Sequence, residues 1–342
     1  MTDCPPPALI TIPSSGKVLV LLDVLRIIGG LIALIYAADR LAKSAVRISH
    51  AFGVSVIFIG AVVVGFGTSV PEFVVSALAA LEGELDLAVG NVVSSNVSNV
   101  TLVLGAAALI TPIAARRRVI KREGALMFAS VALLAAFLAN GWLDAWEGFL
   151  LLGLLGVAIW LMIRWSSSDP DAVSDPIDGE GESFDAASLA DIHWWRKEVG
   201  KEILIGVGAL IVTIIAADFL LDGVIGVGVH FGLSTLFLGL ITGVGTSLPE
   251  LAAGIAAARN REPELVLGNV LGSNIFNSLG VVGLAAILGP GELSAITVPL
   301  LAIMVGIVFV AGAFALTGKR INRTEGGILL VAFVAFVVYA FV

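Results

Sequence analysis

The sequence predicts an all-α polytopic membrane protein with ten transmembrane helices, arranged as two inverted-topology five-helix repeats. Three observations carry this prediction: an apolar composition, an alternating distribution of basic residues, and a duplicated pair of polar motifs. Of the 342 residues, 58% are hydrophobic and 13% are charged, whereas soluble domains are about half apolar and about a quarter charged. Apolar runs of about 20 residues, each long enough to cross a ~30 Å hydrocarbon core, recur along the chain.

Glycine, proline or charged residues bound each of these apolar runs. The ten predicted spans cover approximately residues 18–38, 54–80, 85–112, 122–140, 145–164, 202–221, 233–258, 265–288, 294–317 and 325–342.

The basic residues predict the orientation of the spans. Of 19 Lys and Arg residues, 17 lie in alternate loops, whereas the intervening loops contain acidic residues and no basic one. Because basic loops stay on the cytoplasmic side, both termini are expected outside a cell membrane that the chain crosses many times. The 17 residues are Arg40, Lys43, Arg47, Arg116, Arg117, Arg118, Lys121, Arg122, Arg164, Arg196, Lys197, Lys201, Arg259, Arg261, Lys319, Arg320 and Arg323.

Two polar motifs each occur twice. GTSVPE (67–72) and GTSLPE (245–250) lie 178 residues apart, and GNVVSSNVSN (90–99) matches GNVLGSNIFN (268–277) at the same offset. Each half has five spans, an odd number, so the second half enters the membrane from the opposite side. Inverted repeats are typical of secondary transporters, whose binding site lies near the midplane where the repeats meet.

The predicted organisation has four parts. An extracellular tail (1–17) precedes the first repeat (18–165), and a linker (166–199) leads to the second repeat (200–342). Residues 166–192 carry eight acidic residues and no Lys or Arg, a composition that favours a solvated cytoplasmic linker. A calcium-sensing loop is the alternative, although the regular ligand spacing of an EF-hand is absent.

Glu72 and Glu250 are the acidic residues farthest from the span ends. Neither has a Lys or Arg partner inside a span, since Arg26 follows Asp23 by three residues and is expected to pair with it. An ionised carboxylate at membrane depth is costly and marks a functional site by default. Two carboxylates brought together repel each other, and a divalent cation or protonation of one relieves the repulsion. Oxygen-only ligation suits Ca²⁺.

The residues around these carboxylates supply further oxygen atoms. A spacing of four places two polar side chains on one helix face, and the prolines at 71 and 249 remove an N–H that would bond the carbonyl four residues back. Neither motif contains His, Cys or Lys, which argues against a transition metal. The paired positions are Thr68 with Glu72, Thr246 with Glu250, Ser95 with Asn99, and Ser273 with Asn277.

The paired motifs resemble the α-repeats of the cation/calcium exchanger superfamily, most closely those of prokaryotic sodium/calcium exchangers. The resemblance implies ten helices, with the second, third, seventh and eighth kinked around the site. It implies Ca²⁺/Na⁺ ligation by Glu72 and Glu250, and backbone carbonyls from Thr68 and Thr246 on calcium. The implied sodium ligands are Ser69, Ser95, Ser247 and Ser273, with backbone oxygens near Gly65 and Gly243; Asn99 and Asn277 would occupy the centre. Three Na⁺ for one Ca²⁺ is the family's expected stoichiometry.

Differences from two related branches of the superfamily indicate which ions this chain is expected to transport. Potassium-dependent exchangers have Asp where this chain has Asn277, so potassium co-transport is not expected. Proton-coupled members have Glu in the second motif, where this chain has Ser94 and Gly272, so sodium is the expected coupling ion.

The function expected from the sequence is therefore sodium/calcium antiport by alternating access. The alternatives are a Ca²⁺/H⁺ or other divalent-cation antiporter on the same fold and, less favoured, a cation channel. Enzymatic activity is not expected, because no nucleophile–base pair or His/Asp metal motif occurs. The expected partners are Ca²⁺, Na⁺ and the lipid bilayer, with no nucleic acid and no prosthetic group, and a monomer is compatible with the sequence.

Overall fold

The computed structural model of the chain describes residues 14–166, 192–231, 245–294 and 296–341. These residues are almost entirely helical. In chain order the first half contains α1 (Ser14–Phe52), α2 (Val56–Ile59), π1 (Gly60–Gly65), α3 (Phe66–Thr68), α4 (Val70–Leu81), α5 (Leu85–Ser98), π2 (Asn99–Val103), α6 (Leu104–Ile110), β1 (Ile113–Ala114), α7 (Arg117–Val119), π3 (Ile120–Gly124), α8 (Ala125–Leu138), β2 (Trp142–Leu143) and α9 (Ala145–Ser166).

The second half repeats this order. It contains α10 (Ile192–His230), α11 (Leu248–Arg259), α12 (Pro263–Ile275), π4 (Phe276–Val281), α13 (Val282–Leu288), β3 (Gly291–Glu292), α14 (Val298–Gly318), β4 (Arg320–Ile321) and α15 (Arg323–Phe341). The offset of 178 residues that relates the motifs also relates α4 to α11, α6 to α13, β1 to β3 and β2 to β4.

The two halves exchange structural partners. Strand β1 pairs antiparallel with β4, and β2 pairs antiparallel with β3, so each short sheet takes one strand from each half. Helices do the same, since Gly148 of α9 lies against Gly283 of α13 and Gly326 of α15 lies against Gly105 of α6. This reciprocal packing is what two copies related by a pseudo-two-fold axis produce, and it agrees with the predicted inverted repeat.

Helices α1 and α10 are each 39 residues long. At 1.5 Å per residue each measures roughly 58 Å, well beyond the hydrocarbon thickness. Both helices exceed the predicted spans 18–38 and 202–221, and α10 begins within the segment predicted as linker. The predicted spans ended at charged residues, Asp39 in α1 and Asp222 in α10, through which both helices continue.

The polar ends of α1 and α10 bind each other. Glu202 accepts from Ser44 Oγ at 2.8 Å and from Arg47 Nη1 at 2.6 Å. Farther along the pair, Arg26 Nη1 lies 3.0 Å from Asp23 Oδ1, which confirms the predicted pairing of these two residues. One ion pair, Arg47 with Glu202, joins the two helices, and close packing continues along the pair at Gly30 against Leu220 and at Gly223 against Ile27.

Six of the described helical stretches are long and apolar enough to cross a membrane, and a bent pair of helices would make a seventh. They establish a multi-pass α-helical membrane protein, while the count of ten spans remains a prediction. The six stretches are Val20–Phe52, Leu85–Ile110, Ala145–Ser166, Val199–His230, Pro263–Leu288 and Val298–Gly318; the bent pair is Val56–Thr68 with Val70–Leu81.

The centre of the molecule is formed by π1, α4, α5, α11 and α12. Within α12 every residue from Leu265 to Ile275 is buried, whereas α1 and α9 expose much of their apolar surface. A helix buried on all sides belongs to the interior of a bundle, and exposed apolar helices suit a lipid-facing position. The polar motifs therefore lie on the innermost helices.

Candidate cation site

The first hexapeptide forms a break in its helix. Ser69, between α3 and α4, has φ −81° and ψ 4°, and its N–H donates to the carbonyl of Gly65 at 3.2 Å. Pro71 follows in the first turn of α4, where its missing N–H costs least. The helix axes on the two sides of the break differ by 43°. Glu72 then lies in the first turn of the new helix, a favourable position for a carboxylate.

The second hexapeptide repeats this geometry. Ser247 has φ −89° and ψ 8°, Pro249 lies in the first turn of α11, and Glu250 follows it. In both copies a serine with non-helical dihedrals precedes a proline in the first turn of the next helix. The predicted kink is thus seen in the second span, whereas the residues before Gly245 lie outside the described part of the chain.

The two glutamates are completely buried. Oε1 of Glu72 accepts from Ser95 Oγ at 3.3 Å, and Oε1 of Glu250 accepts from Ser69 Oγ at 3.1 Å. Ser69 belongs to the first hexapeptide and Glu250 to the second, so the two motifs meet. Among the residues that the structure describes, Oε2 of each glutamate has no hydrogen-bond partner, and the salt bridges do not involve either group.

Two asparagines mark the start of π-helical turns. Asn99 opens π2, and Asn277 follows the first residue of π4. Both side chains are buried, and within the described part of the chain neither amide oxygen nor amide nitrogen of either residue finds a partner. Buried polar atoms are almost always satisfied, so such exceptions need an explanation such as an ion. Single π-helical turns are also frequent at functional sites.

Some threonine and serine hydroxyls of the candidate site donate hydrogen bonds to backbone carbonyls, whereas the Ser247 hydroxyl has no partner among the described residues. Thr68 Oγ1 donates to the Val64 carbonyl at 3.0 Å, and Ser273 Oγ donates to the Gly65 carbonyl at 3.2 Å. Ser247 Oγ is buried and has no partner in the described residues, and Thr246 is half-buried.

Eleven of the twelve predicted site residues are described by the structure, on the inner helices, in the π-helical turns beside them, or at the breaks before α4 and α11. Nine of them have buried side chains, Gly65 is also buried, and Thr246 is half-buried. Gly243 lies outside the described residues. The buried nine are Thr68, Ser69, Glu72, Ser95, Asn99, Ser247, Glu250, Ser273 and Asn277.

The sequence reasoning missed three polar residues beside the site. Asn91, Asn269 and Ser76 contact the hexapeptides or their helices. The signal was present for the asparagines, because the second motif opens with Gly-Asn in both copies.

The chain matches a known protein family along most of its length. The family model described as "Sodium/calcium exchanger protein" matches residues 22–164 and 201–342. The chain belongs to this family.

Several known proteins resemble this exchanger along most of its length. It is 39% identical over 316 residues to "Putative antiporter CaxA" of Alkalimonas amylolytica, covering 90% of this chain and 95% of the relative. It is 29% identical over 340 residues to "Sodium/calcium exchanger MaX1" of Methanosarcina acetivorans, covering 91% and 96%. The solved structure of a sodium/calcium exchanger from Methanococcus jannaschii has a TM-score of 0.79 at 26% identity, covering 93% and 98%.

Membership of the exchanger family makes the chain a transporter and not an enzyme. Its site offers two carboxylates, several hydroxyls and two amide groups. These are the oxygen donors that hard cations prefer. Within the described residues no cluster of three or more His, Cys, Asp or Glu forms a metal site of another kind.

Proposed function

We propose that this exchanger moves Ca²⁺ against Na⁺ by alternating access, with both ions bound around Glu72 and Glu250. The observation that carries the proposal is the pair of buried glutamates, each with one bonded and one free oxygen. In a low-dielectric interior an uncompensated carboxylate is unfavourable. A transported cation is the missing positive charge.

The charge of the site couples the two ions. Two ionised carboxylates are neutralised by one Ca²⁺, whereas Na⁺ must bind in more than one copy to reach the same charge. Both ions need the same carboxylate oxygens, so they exclude each other and cross in separate half-cycles. The empty site carries two negative charges, and moving charge through the hydrocarbon region is costly. That cost opposes return of the empty carrier and enforces exchange.

We assign the oxygen atoms near the two glutamates to different ions. We assign the hydroxyls of Ser69, Ser95, Ser247 and Ser273, with backbone oxygens near Gly65 and Gly243, to sodium. The backbone carbonyls of Thr68 and Thr246 are assigned to calcium, and the amides of Asn99 and Asn277 to the centre of the site. The unpartnered atoms of Ser247, Asn99 and Asn277 support these roles.

The proposed orientation places both termini outside the cell and the segment 166–199 in the cytoplasm. The proposal divides the chain into a tail (1–17), two repeats (18–165 and 200–342) and this linker. It is supported by the alternation of basic loops.

Ion flux into vesicles tests the function. Purified protein in liposomes loaded with Na⁺ should accumulate radioactive Ca²⁺ when Na⁺ is diluted outside. Glu72→Gln and Glu250→Gln should each lower the initial rate by about 100-fold, the equivalent of roughly 2.7 kcal/mol. Glu147→Gln is the matched control, because Glu147 is also buried but accepts the N–H of Asp144 at 2.8 Å, away from the site.

Three other outcomes would contradict the proposal. Calcium uptake driven by a pH gradient and not by sodium would identify a proton-coupled antiporter. Calcium flux indifferent to every trans cation would identify a channel. Uptake that survives both glutamate substitutions would place the cations elsewhere.

A further inference from the structure

Two asparagines that are not among the predicted ligands lie against the threonines of the hexapeptides. Asn91 of α5 accepts from Thr246 Oγ1 at 3.3 Å, and Asn269 of α12 has its Oδ1 3.4 Å from Thr68 Oγ1. Each contact joins one repeat to the other. The two contacts are related by the same 178-residue offset as the motifs.

The hydrogen bonds of Ser76 fix the orientation of the Asn91 amide. Ser76 Oγ lies 3.0 Å from the carbonyl of Ala88 and must donate its one proton there. It can therefore only accept from Asn91 Nδ2, at 3.1 Å. The amide oxygen of Asn91 is left facing Thr246, whose hydroxyl donates to it.

Asn269 uses its amide differently, for a reason visible in the sequence. The position equivalent to Ser76 in the second repeat is Gly254, which offers no hydroxyl. Asn269 Nδ2 instead donates to the backbone carbonyl of Glu250 at 3.3 Å. One amide thus contacts Thr68, the last residue of α3, and the first turn of α11.

The state of these amides separates them from ligands. Asn99 and Asn277 are buried with all their amide atoms unpartnered among the described residues. Asn91 has both ends of its amide hydrogen-bonded, to Ser76 and to Thr246. Asn269 donates through Nδ2 to the Glu250 carbonyl, and its Oδ1 lies 3.4 Å from Thr68 Oγ1, whose shorter bond goes to the Val64 carbonyl. Both amides thus bond to the second hexapeptide.

We propose that Asn269 and Asn91 are positioning residues for cation binding: Asn91 bonds to the second hexapeptide from the other repeat, and Asn269 bonds to it from within the same repeat. The proposal rests on the proposed exchange site, because it concerns the same threonines and Glu250. Asn269 has the larger effect, since it is buried and contacts the main chain of Glu250, whereas Asn91 is half-buried. A lost hydrogen bond costs more where water cannot replace it.

Calcium binding by Asn269→Ala tests the proposal. The KM for Ca²⁺ in sodium-driven uptake should rise about tenfold, the size expected for losing a buried hydrogen bond, while kcat stays close to wild type. Asn274→Ala is the matched control: Asn274 lies on the same helix, is equally buried, and donates to its own helix at the Val270 carbonyl. Its KM should not change.

The outcomes distinguish positioning from a merely structural role. An unchanged KM in Asn269→Ala, or equal losses in both variants, overturns the proposal. If Asn269→Ala fails to fold, Asn91→Ala replaces it with a smaller rise in KM, and no rise overturns the proposal. Calcium-induced thermal stabilisation of the detergent-solubilised protein gives a reading independent of transport. If wild type shows no sodium-driven uptake, the proposed function fails, while the weaker calcium stabilisation of Asn269→Ala still decides the positioning role.

Discussion

Gly272→Ala should destabilise the exchanger, because α12 packs against π1 at a crossing where both helices carry a glycine, Gly272 and Gly65. A Cβ at Gly272 would lie 2.5 Å from Cα and 2.6 Å from the carbonyl carbon of Ala61. Gly65, on the other side of the crossing, has somewhat more room, with the N of Ser273 at 2.9 Å from an added Cβ. These neighbours are backbone atoms of two buried helices, which cannot rotate away as a side chain can.

The size of the effect follows from two opposing contributions. Alanine is favoured over glycine in a helix by about 1 kcal/mol. Overpacking a well-filled interior costs about 1–3 kcal/mol, and a rigid backbone neighbour places Gly272 at the upper end. The net loss of about 2 kcal/mol corresponds to a fall in unfolding temperature of roughly 4 °C, at about 2 °C per kcal/mol for a large chain.

Thermal unfolding in detergent, followed by the fluorescence of the six tryptophans, measures this difference. Gly306→Ala in α14 is the matched control, because an added Cβ there meets nothing within 4 Å. Its unfolding temperature should stay level or rise by up to about 2 °C. Equal unfolding temperatures for the two variants would refute the reasoning that the helix crossing requires glycine.

Three further predictions concern pH, orientation and ion choice. Burial, and secondarily a neighbouring carboxylate, raise the pKa of Glu262 to about 7, so the folded protein should lose stability as pH rises from about 5 to 8; Glu262→Gln should remove that loss in unfolding scans against pH. In a Cys4→Ser background, an impermeant thiol reagent should label Glu84→Cys in intact cells but Lys121→Cys only after permeabilisation, because the loop containing Glu84 is predicted outside and the loop containing Lys121 in the cytoplasm. The reverse pattern would show that the orientation is opposite to the predicted one. Replacing K⁺ by choline should leave sodium-driven Ca²⁺ uptake unchanged; a K⁺ requirement would contradict the inference from the neutral Asn277.

The sequence predicted most of the fold because the repeat and the charges are explicit in it. A constant offset of 178 residues relates the motifs, and the structure shows the same offset in helices and strands. Helix ends were less predictable. Ser44 and Arg47 lie beyond the predicted end of the first span and bond to Glu202 of α10, and such pairing cannot be read from hydropathy. The pairing of each strand with one from the other half is likewise a tertiary contact that the sequence pattern does not show.

The candidate cation ligands could be selected from the sequence because each polar residue stands out against apolar neighbours. Glu72 and Glu250 needed only their sequence context. The bonding of each hydroxyl was not predictable, since Ser69 reaches the other repeat while its equivalent Ser247 is unpartnered in the described residues. Asn269 was missed because its contacts, with Thr68 of the other repeat and with the Glu250 carbonyl of its own, arise only from tertiary packing.

The differences between the two copies lie in packing positions and not in ligand positions. All six predicted ligand positions carry the same residue type in both repeats. At two neighbouring positions the residue types differ between the repeats: Ser94 is equivalent to Gly272, and Ser76 is equivalent to Gly254. Ser94 is half-buried, whereas Gly272 is packed against Ala61. Two states related by the repeat symmetry would have equal energy if the copies were identical, so any preference must come from such differences. Substitutions at Ser94 or Gly272 should therefore shift the balance between the two access states while leaving the ligands unchanged.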